Sequence, residues 1–238
     1  LFAINSATGA LTFAAAPNFE ALGCGAGNNA NGCVVVLSVT DGNTADTITV
    51  TATITDVNEA SPVFGDGDTA SANVAEGTTT VGTYGATDAD GSASLTYSIV
   101  AVGDNGASVD HDLFAINSAT GALTFAAAPN FEALGCGAGN NANGCVVVLS
   151  VTDGANTDTI TVTATITNVN EAPVFGDGAT ATANVAEGTT TVGTYSATDA
   201  DTSDTLTYSI VASGTNAASV DHDLFAINAA TGALTFAA

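Results

Sequence analysis

Across 238 residues the chain carries 24 Asp plus Glu and no Lys or Arg, a formal net charge of −24, yet 46% of its residues are hydrophobic. That apolar content separates it from acidic disordered tails, which lack the residues needed to bury a core. Binding to nucleic-acid phosphates, adhesion to anionic lipid, Schiff-base chemistry and P-loop chemistry all need Lys or Arg and are excluded, so the folded chain must draw its counterions from outside.

In chain order, the first turn signal is Thr8-Gly9, followed by a Gly- and Asn-rich loop between Cys24 and Cys33 and a second turn at Asp41-Gly42. Thr47 to Thr55 (TITVTATIT) alternates Thr with apolar residues, the period of a strand with one buried face. Thr79 to Tyr84 and Leu95 to Val100 read as short strands, with turns at Asp90-Gly91 and Asn105-Gly106. Residues 113–154 then repeat residues 1–42 letter for letter, so Cys145 to Val151 and Thr159 to Thr167 read as strands again. No window sustains a helical period. About seven strands in about 110 residues predict an all-β chain of tandem Greek-key sandwiches.

The repeat sets the domain boundaries. LFAIN recurs at Leu1, Leu113 and Leu224, PVF at Pro62 and Pro173, and NVAEGTTTVGTY at Asn73 and Asn184. Residues 1–61 are expected to be the C-terminal half of one module, 62–172 a complete module, and 173–238 the N-terminal part of a third. Leu224 to Ala238 also repeats Leu1 to Ala15 with one change, Ala229 for Ser6. Strand exchange between copies would supply those fifteen residues twice, so the overlap favours a window on a longer repeat polymer.

The cysteines fit an oxidising, extracellular setting. Identical short spacings predict local disulfides Cys24–Cys33 and Cys136–Cys145, because two Cys with no companion His or Cys make a weak zinc site. The carboxylates gather at joints: in TDVNEASPVF (Thr55 to Phe64) and TNVNEAPVF (Thr167 to Phe175), and at Glu76, Asp88, Asp90, Glu132 and Asp153. Oxygen-only ligands of this kind suit Ca²⁺ better than a transition metal.

These motifs resemble those of tandem cadherin repeats of the prokaryotic, extracellular kind. The linker D-x-N-D-N-x-P-x-F is matched loosely by Asp56 to Phe64, x-E-x by Glu76 and Glu187, and D-x-D by Asp88/Asp90 and Asp199/Asp201. D-R-E survives as Glu20 and Glu132, A-x-D as Asp41 and Asp153, and F-x-I-x-x-x-T-G at Phe2, Phe114 and Phe225. The resemblance implies Ca²⁺ held at the first junction by Glu20, Asp56, Asn58, Glu59, Asp88, Asp90 and Asp153. At the second it implies Glu76, Glu132, Asn168, Asn170, Glu171, Asp199 and Asp201. Ala60 and Ala172 replace the second linker Asn, and Asn168 replaces an Asp, so fewer or weaker ions are expected than the family's three per junction.

The function expected is non-enzymatic: a calcium-rigidified shaft or filament on a cell surface or in the extracellular matrix, partnered by continuing repeats or other copies of the chain. The alternative is an adhesion module whose lateral surface binds a protein or glycan. No Ser/His/Asp or Cys/His arrangement supports catalysis. Asp110-His111-Asp112, Asp221-His222-Asp223 and Gly65-Asp66-Gly67-Asp68 read as surface loops and turns, and the threonine rows as solvent-facing strand positions.

Overall fold

Short segments rich in Val, Ile, Thr, Leu and Phe form the strands of the described residues. The computed structural model describes residues 1–21, 32–91, 94–101, 110–133, 135–136, 144–211 and 219–237. Its first repeat segment holds β1 (Phe2–Ile4), β2 (Leu11–Phe13), β3 (Gly32–Thr40) and β4 (Ala45–Thr53). The central segment holds β5 (Val63–Phe64), β6 (Thr69–Ala75), β7 (Thr80–Thr83), β8 (Ala86–Thr87), β9 (Thr96–Ile99), β10 (Phe114–Ile116), β11 (Ala122–Phe125), β12 (Gly144–Thr152) and β13 (Thr157–Thr167). The last holds β14 (Val174–Phe175), β15 (Thr191–Thr194), β16 (Ala197–Thr198), β17 (Phe225–Ile227) and β18 (Ala233–Phe236).

The chain forms two compact units, one of residues 1–129 and 135–166, the other of 130–134 and 167–238. Within the first unit the central segment makes a sandwich of a four-stranded sheet, β6-β13-β12-β9, and a three-stranded sheet, β10-β11-β7. Val147, Leu149, Val151, Ile160, Val162 and Ala164 of β12 and β13 are fully buried, as is Leu123 of β11, and Phe114 and Phe125 are buried too. Phe114 and Phe125 stack at 4.5 Å between centroids. The loop Asn117 to Gly121 closes by an Asx turn in which Asn117 Oδ1 accepts from Ala119 and Thr120 N–H. Gly121 adopts φ +70°, and a Cβ there would strike the Tyr84 carbonyl, so this position admits only glycine.

The first repeat segment tests sequence against context. β3 carries the same letters as β12, yet among the described residues β3 and β4 pair only with each other. Val36, Val39 and Ile48 are 61%, 70% and 61% exposed, where Val148, Val151 and Ile160 are 1%, 0% and 0%. The strand-forming pattern is local; the burial is supplied by β6, β9 and the opposing sheet.

In the second unit, β15-β18-β17 form one sheet and β14-β16 a short ladder. Cys136 and Cys145 are bonded with Cα atoms 5.1 Å apart, inside the usual disulfide range. The expected Cys24–Cys33 pair involves Cys24, which lies outside the described residues.

Candidate metal centre

The linker between β4 and β5 is pinned to the central sandwich by its own backbone. Ala60 N–H donates to Asp90 Oδ2 at 2.8 Å, and Ala60 O accepts from Asn156 Nδ2 at 2.7 Å. Asp90 follows β8 and is 3% exposed. Its own N–H donates to Asp88 Oδ1 at 2.8 Å, which fixes the two carboxylates of the D-x-D element relative to one another. Asp153 is oriented by the β12–β13 turn, where its Oδ1 accepts from Ala155 and Asn156 N–H at 2.7 and 2.6 Å. Asn58, with its amide nitrogen turned toward the acids, donates to Asp153 Oδ2 at 3.0 Å and Asp90 Oδ2 at 3.2 Å.

Around this frame Glu20, Glu59 and Asp90 each bring a carboxylate oxygen within 4.8 Å of the others. Desolvation, and then the negative charges of Glu20, Asp90 and Asp56, raise the Glu59 pKa above the usual glutamate value. Asp153 shifts the other way, lowered chiefly by the backbone N–H of Asn156. Asp88 Oδ2 is buried and accepts no hydrogen bond. A buried carboxylate oxygen without a donor is costly unless a cation meets it. The residues present therefore fit a hard divalent cation: every donor is oxygen, charges are in excess, and one buried oxygen lacks a partner.

Six expected residues of the first junction are placed directly around this linker by these contacts and by charge: Glu20, Asp56, Asn58, Glu59, Asp88 and Asp90. Asp153 joins them through Asn58. Sequence reasoning missed Asn156, which ties the linker to the β12–β13 turn. Its signal is the D-G-x-N turn Asp153 to Asn156, where the first copy has Thr44 instead.

The corresponding elements of the second unit keep the same plan with different chemistry. Asp201, 5% exposed, accepts from Asn168 Nδ2 at 2.7 Å and from Glu171 N–H at 2.9 Å, and its N–H donates to Asp199 Oδ1 at 3.1 Å. Its pKa is lowered, first by Asn168 and then by the Glu171 N–H. Asn170 Nδ2 donates to Glu171 O at 2.7 Å. The second linker is one residue shorter than the first, lacking a counterpart of Ser61, so Glu171 rather than the following Ala supplies the capping N–H. Glu132 is an exposed residue of this unit, whereas Glu76 belongs to the first unit, 7% exposed just beyond β6.

Asp110 proved structural: its Oδ2 accepts from Val146 N–H at 2.8 Å and its own N–H donates to Val146 O at 3.1 Å, clamping the 3₁₀ turn His111–Leu113 to β12.

No protein-family model matches the chain, and no curated protein does so either. Solved structures do. The fold is similar to repeats EC21–23 of human CDH23, with TM-score 0.59 and 20% identity over 100% of this chain and 71% of that one. It is also similar to repeats EC1–3 of mouse protocadherin-24, with TM-score 0.51 and 20% identity over 99% and 72%. The extracellular domain of protocadherin GammaB4 gives TM-score 0.53 and 21% identity over 99% and 38%. The architecture is thus that of cadherin-type β-sandwich repeats in tandem.

Proposed function

We propose that the chain is a Ca²⁺-rigidified structural segment of an extracellular adhesin shaft or filament, built of modules 1–61, 62–172 and 173–238. The observation that carries this reading is the convergence of Glu20, Glu59 and Asp90, with the orphan oxygen of Asp88 beside them, in a chain that has no Lys or Arg. At the first joint Ca²⁺ would be held by Glu20, Asp56, Asn58, Glu59, Asp88, Asp90 and Asp153. In the second unit Asn168, Asn170, Glu171, Asp199 and Asp201 would serve. When bound, the ion supplies charge neutralisation and ties linker to sandwich. The protein supplies the rest: Asn156 and the Ala60 N–H hold the linker in place, and the turn bonds of Asp153 aim its carboxylate.

An extracellular setting is supported by the Cys136–Cys145 disulfide, since such bonds persist where thiols are oxidised. Among the described residues no helix is long and apolar enough to cross a membrane. Calorimetric titration with CaCl₂ tests the reading. The wild-type chain should bind Ca²⁺, and Asp90→Ala should lose the first-joint sites while the second unit keeps its own. Absence of binding by the wild-type chain at millimolar Ca²⁺ contradicts it.

A second reading, lateral adhesion, draws on the outer face of the four-stranded sheet. There Ser98, Ser150 and Thr159 form one cross-strand row and Thr96, Thr152 and Thr157 the next. Such a hydroxyl surface suits a glycan. Retention of the chain on a polysaccharide matrix at fixed Ca²⁺ would favour adhesion over a spacer role.

A further inference from the structure

In the linker between β4 and β5, Asn58 lies within reach of Asp153 Oδ2 on the β12–β13 turn and Asp90 Oδ2 of the D-x-D element. Its carboxamide is planar, so a half-turn exchanges oxygen and nitrogen with almost no change of shape. With Nδ2 toward the acids it donates to Asp153 Oδ2 at 3.0 Å and to Asp90 Oδ2 at 3.2 Å. With Oδ1 toward them the oxygen faces only acceptors and the nitrogen only donors.

The first orientation is the stable one when no cation is near. An amide oxygen held against two carboxylate oxygens is repelled, whereas two N–H bonds to the same carboxylates are charge-assisted and favourable. The chain has no Lys or Arg to meet those acids instead. A hard cation needs the second orientation, because Ca²⁺ takes oxygen ligands and an amide N–H aimed at the ion opposes it.

The surroundings let this amide turn while the linker stays in place. Asp153 Oδ1 is held by the N–H groups of Ala155 and Asn156, and Asp90 Oδ2 also accepts from Ala60 N–H at 2.8 Å. Ala60 O in turn accepts from Asn156 Nδ2 at 2.7 Å. Asn58 itself is exposed, so rotation of its amide displaces no core side chain.

We propose that Asn58 is an ion-operated amide switch: in the ion-free joint it ties Asp153 to Asp90 through Nδ2, and when Ca²⁺ binds it presents Oδ1 instead. The switch rests on the Ca²⁺ reading of the first joint and adds its regulation. Two charge-assisted bonds must break before the ion is fully held, which weakens binding, and the same two bonds keep the linker ordered when Ca²⁺ is scarce. In the second unit the counterpart Asn170 donates to Glu171 O at 2.7 Å, and the amide on Asp201 Oδ1 comes from Asn168. The two linkers therefore respond differently to the ion.

The test compares full-length wild type, Asn58→Ala and Asn58→Asp by calorimetric titration with CaCl₂ and by melting in chelator. Both variants lose the Nδ2 bonds and should melt at least about 2 °C below wild type in chelator. With Ca²⁺ they part. Asn58→Ala offers no oxygen and should bind the first-joint ion roughly tenfold more weakly, whereas Asn58→Asp offers a charged oxygen with no bond to break and should bind it more tightly. A residue that acts only as a donor gives the reverse for Asn58→Ala, since freeing the acids would tighten binding. Equal or tighter binding by Asn58→Ala, or its wild-type melting in chelator, overturns the switch and leaves the Ca²⁺ reading standing. A wild-type chain that binds no Ca²⁺ at millimolar concentration overturns both.

Discussion

Glu59 shows how one residue can oppose folding in one condition and support it in another. Its carboxyl is raised by desolvation and by three neighbouring acids, so the folded chain binds its proton more readily than the unfolded chain does. Without metal its penalty is absent at low pH and sets in as pH rises through the raised value. Glu59→Gln should therefore raise the melting temperature of the chelated chain at neutral pH. It should lower the further gain from Ca²⁺, and scans with and without chelator read both effects. Asp201 has the opposite sign: its lowered pKa stabilises the fold above the ordinary aspartate value and is lost as pH falls through the lowered one. Gly121 is a purely steric case. Gly121→Ala combines strain at φ +70° with a clash on the Tyr84 carbonyl and should destabilise by about 1–3 kcal/mol or more, measured by urea unfolding.

Among the elements, the long strands were legible: in β13 (Thr157–Thr167) Thr alternates with Ile, Val and Ala, and β12 (Gly144–Thr152) is a run rich in Val. The Phe2–Ile4 and Leu11–Phe13 strands were not, because three residues carry too little period to identify a strand. The D-x-D carboxylates and the linker were legible as a motif. Asn156 was not, since its partner Ala60 is 96 residues away and only the fold brings them together. The two linkers also differ in a way the sequence states plainly, Asp56 against Asn168. In the second unit an amide already bonds Asp201. Asn168→Asp restores a carboxylate and should tighten Ca²⁺ binding there, seen as a lower dissociation constant for the second-unit sites by calorimetry. The Cys136–Cys145 bond closes a loop of nine residues, and by chain entropy its removal in the double Ser variant should cost about 2–3 kcal/mol.

For the whole molecule, charge is the dominant fact: −24 with no Lys or Arg in 238 residues. Carboxylates drawn together at the first joint repel in the absence of a cation, and Asp88 Oδ2 is buried there without a donor. Cations that bind only the folded state shift the equilibrium by mass action. For sites of about 10⁻⁴ to 10⁻³ M, about 10 mM Ca²⁺ adds about 1.4–2.7 kcal/mol per site. Thermal unfolding of the full chain in about 10 mM CaCl₂ and in excess chelator, at matched ionic strength, decides whether Ca²⁺ stabilises the fold. The melting temperature should be higher by about 3–10 °C with Ca²⁺. Superimposable transitions with and without chelator would contradict it.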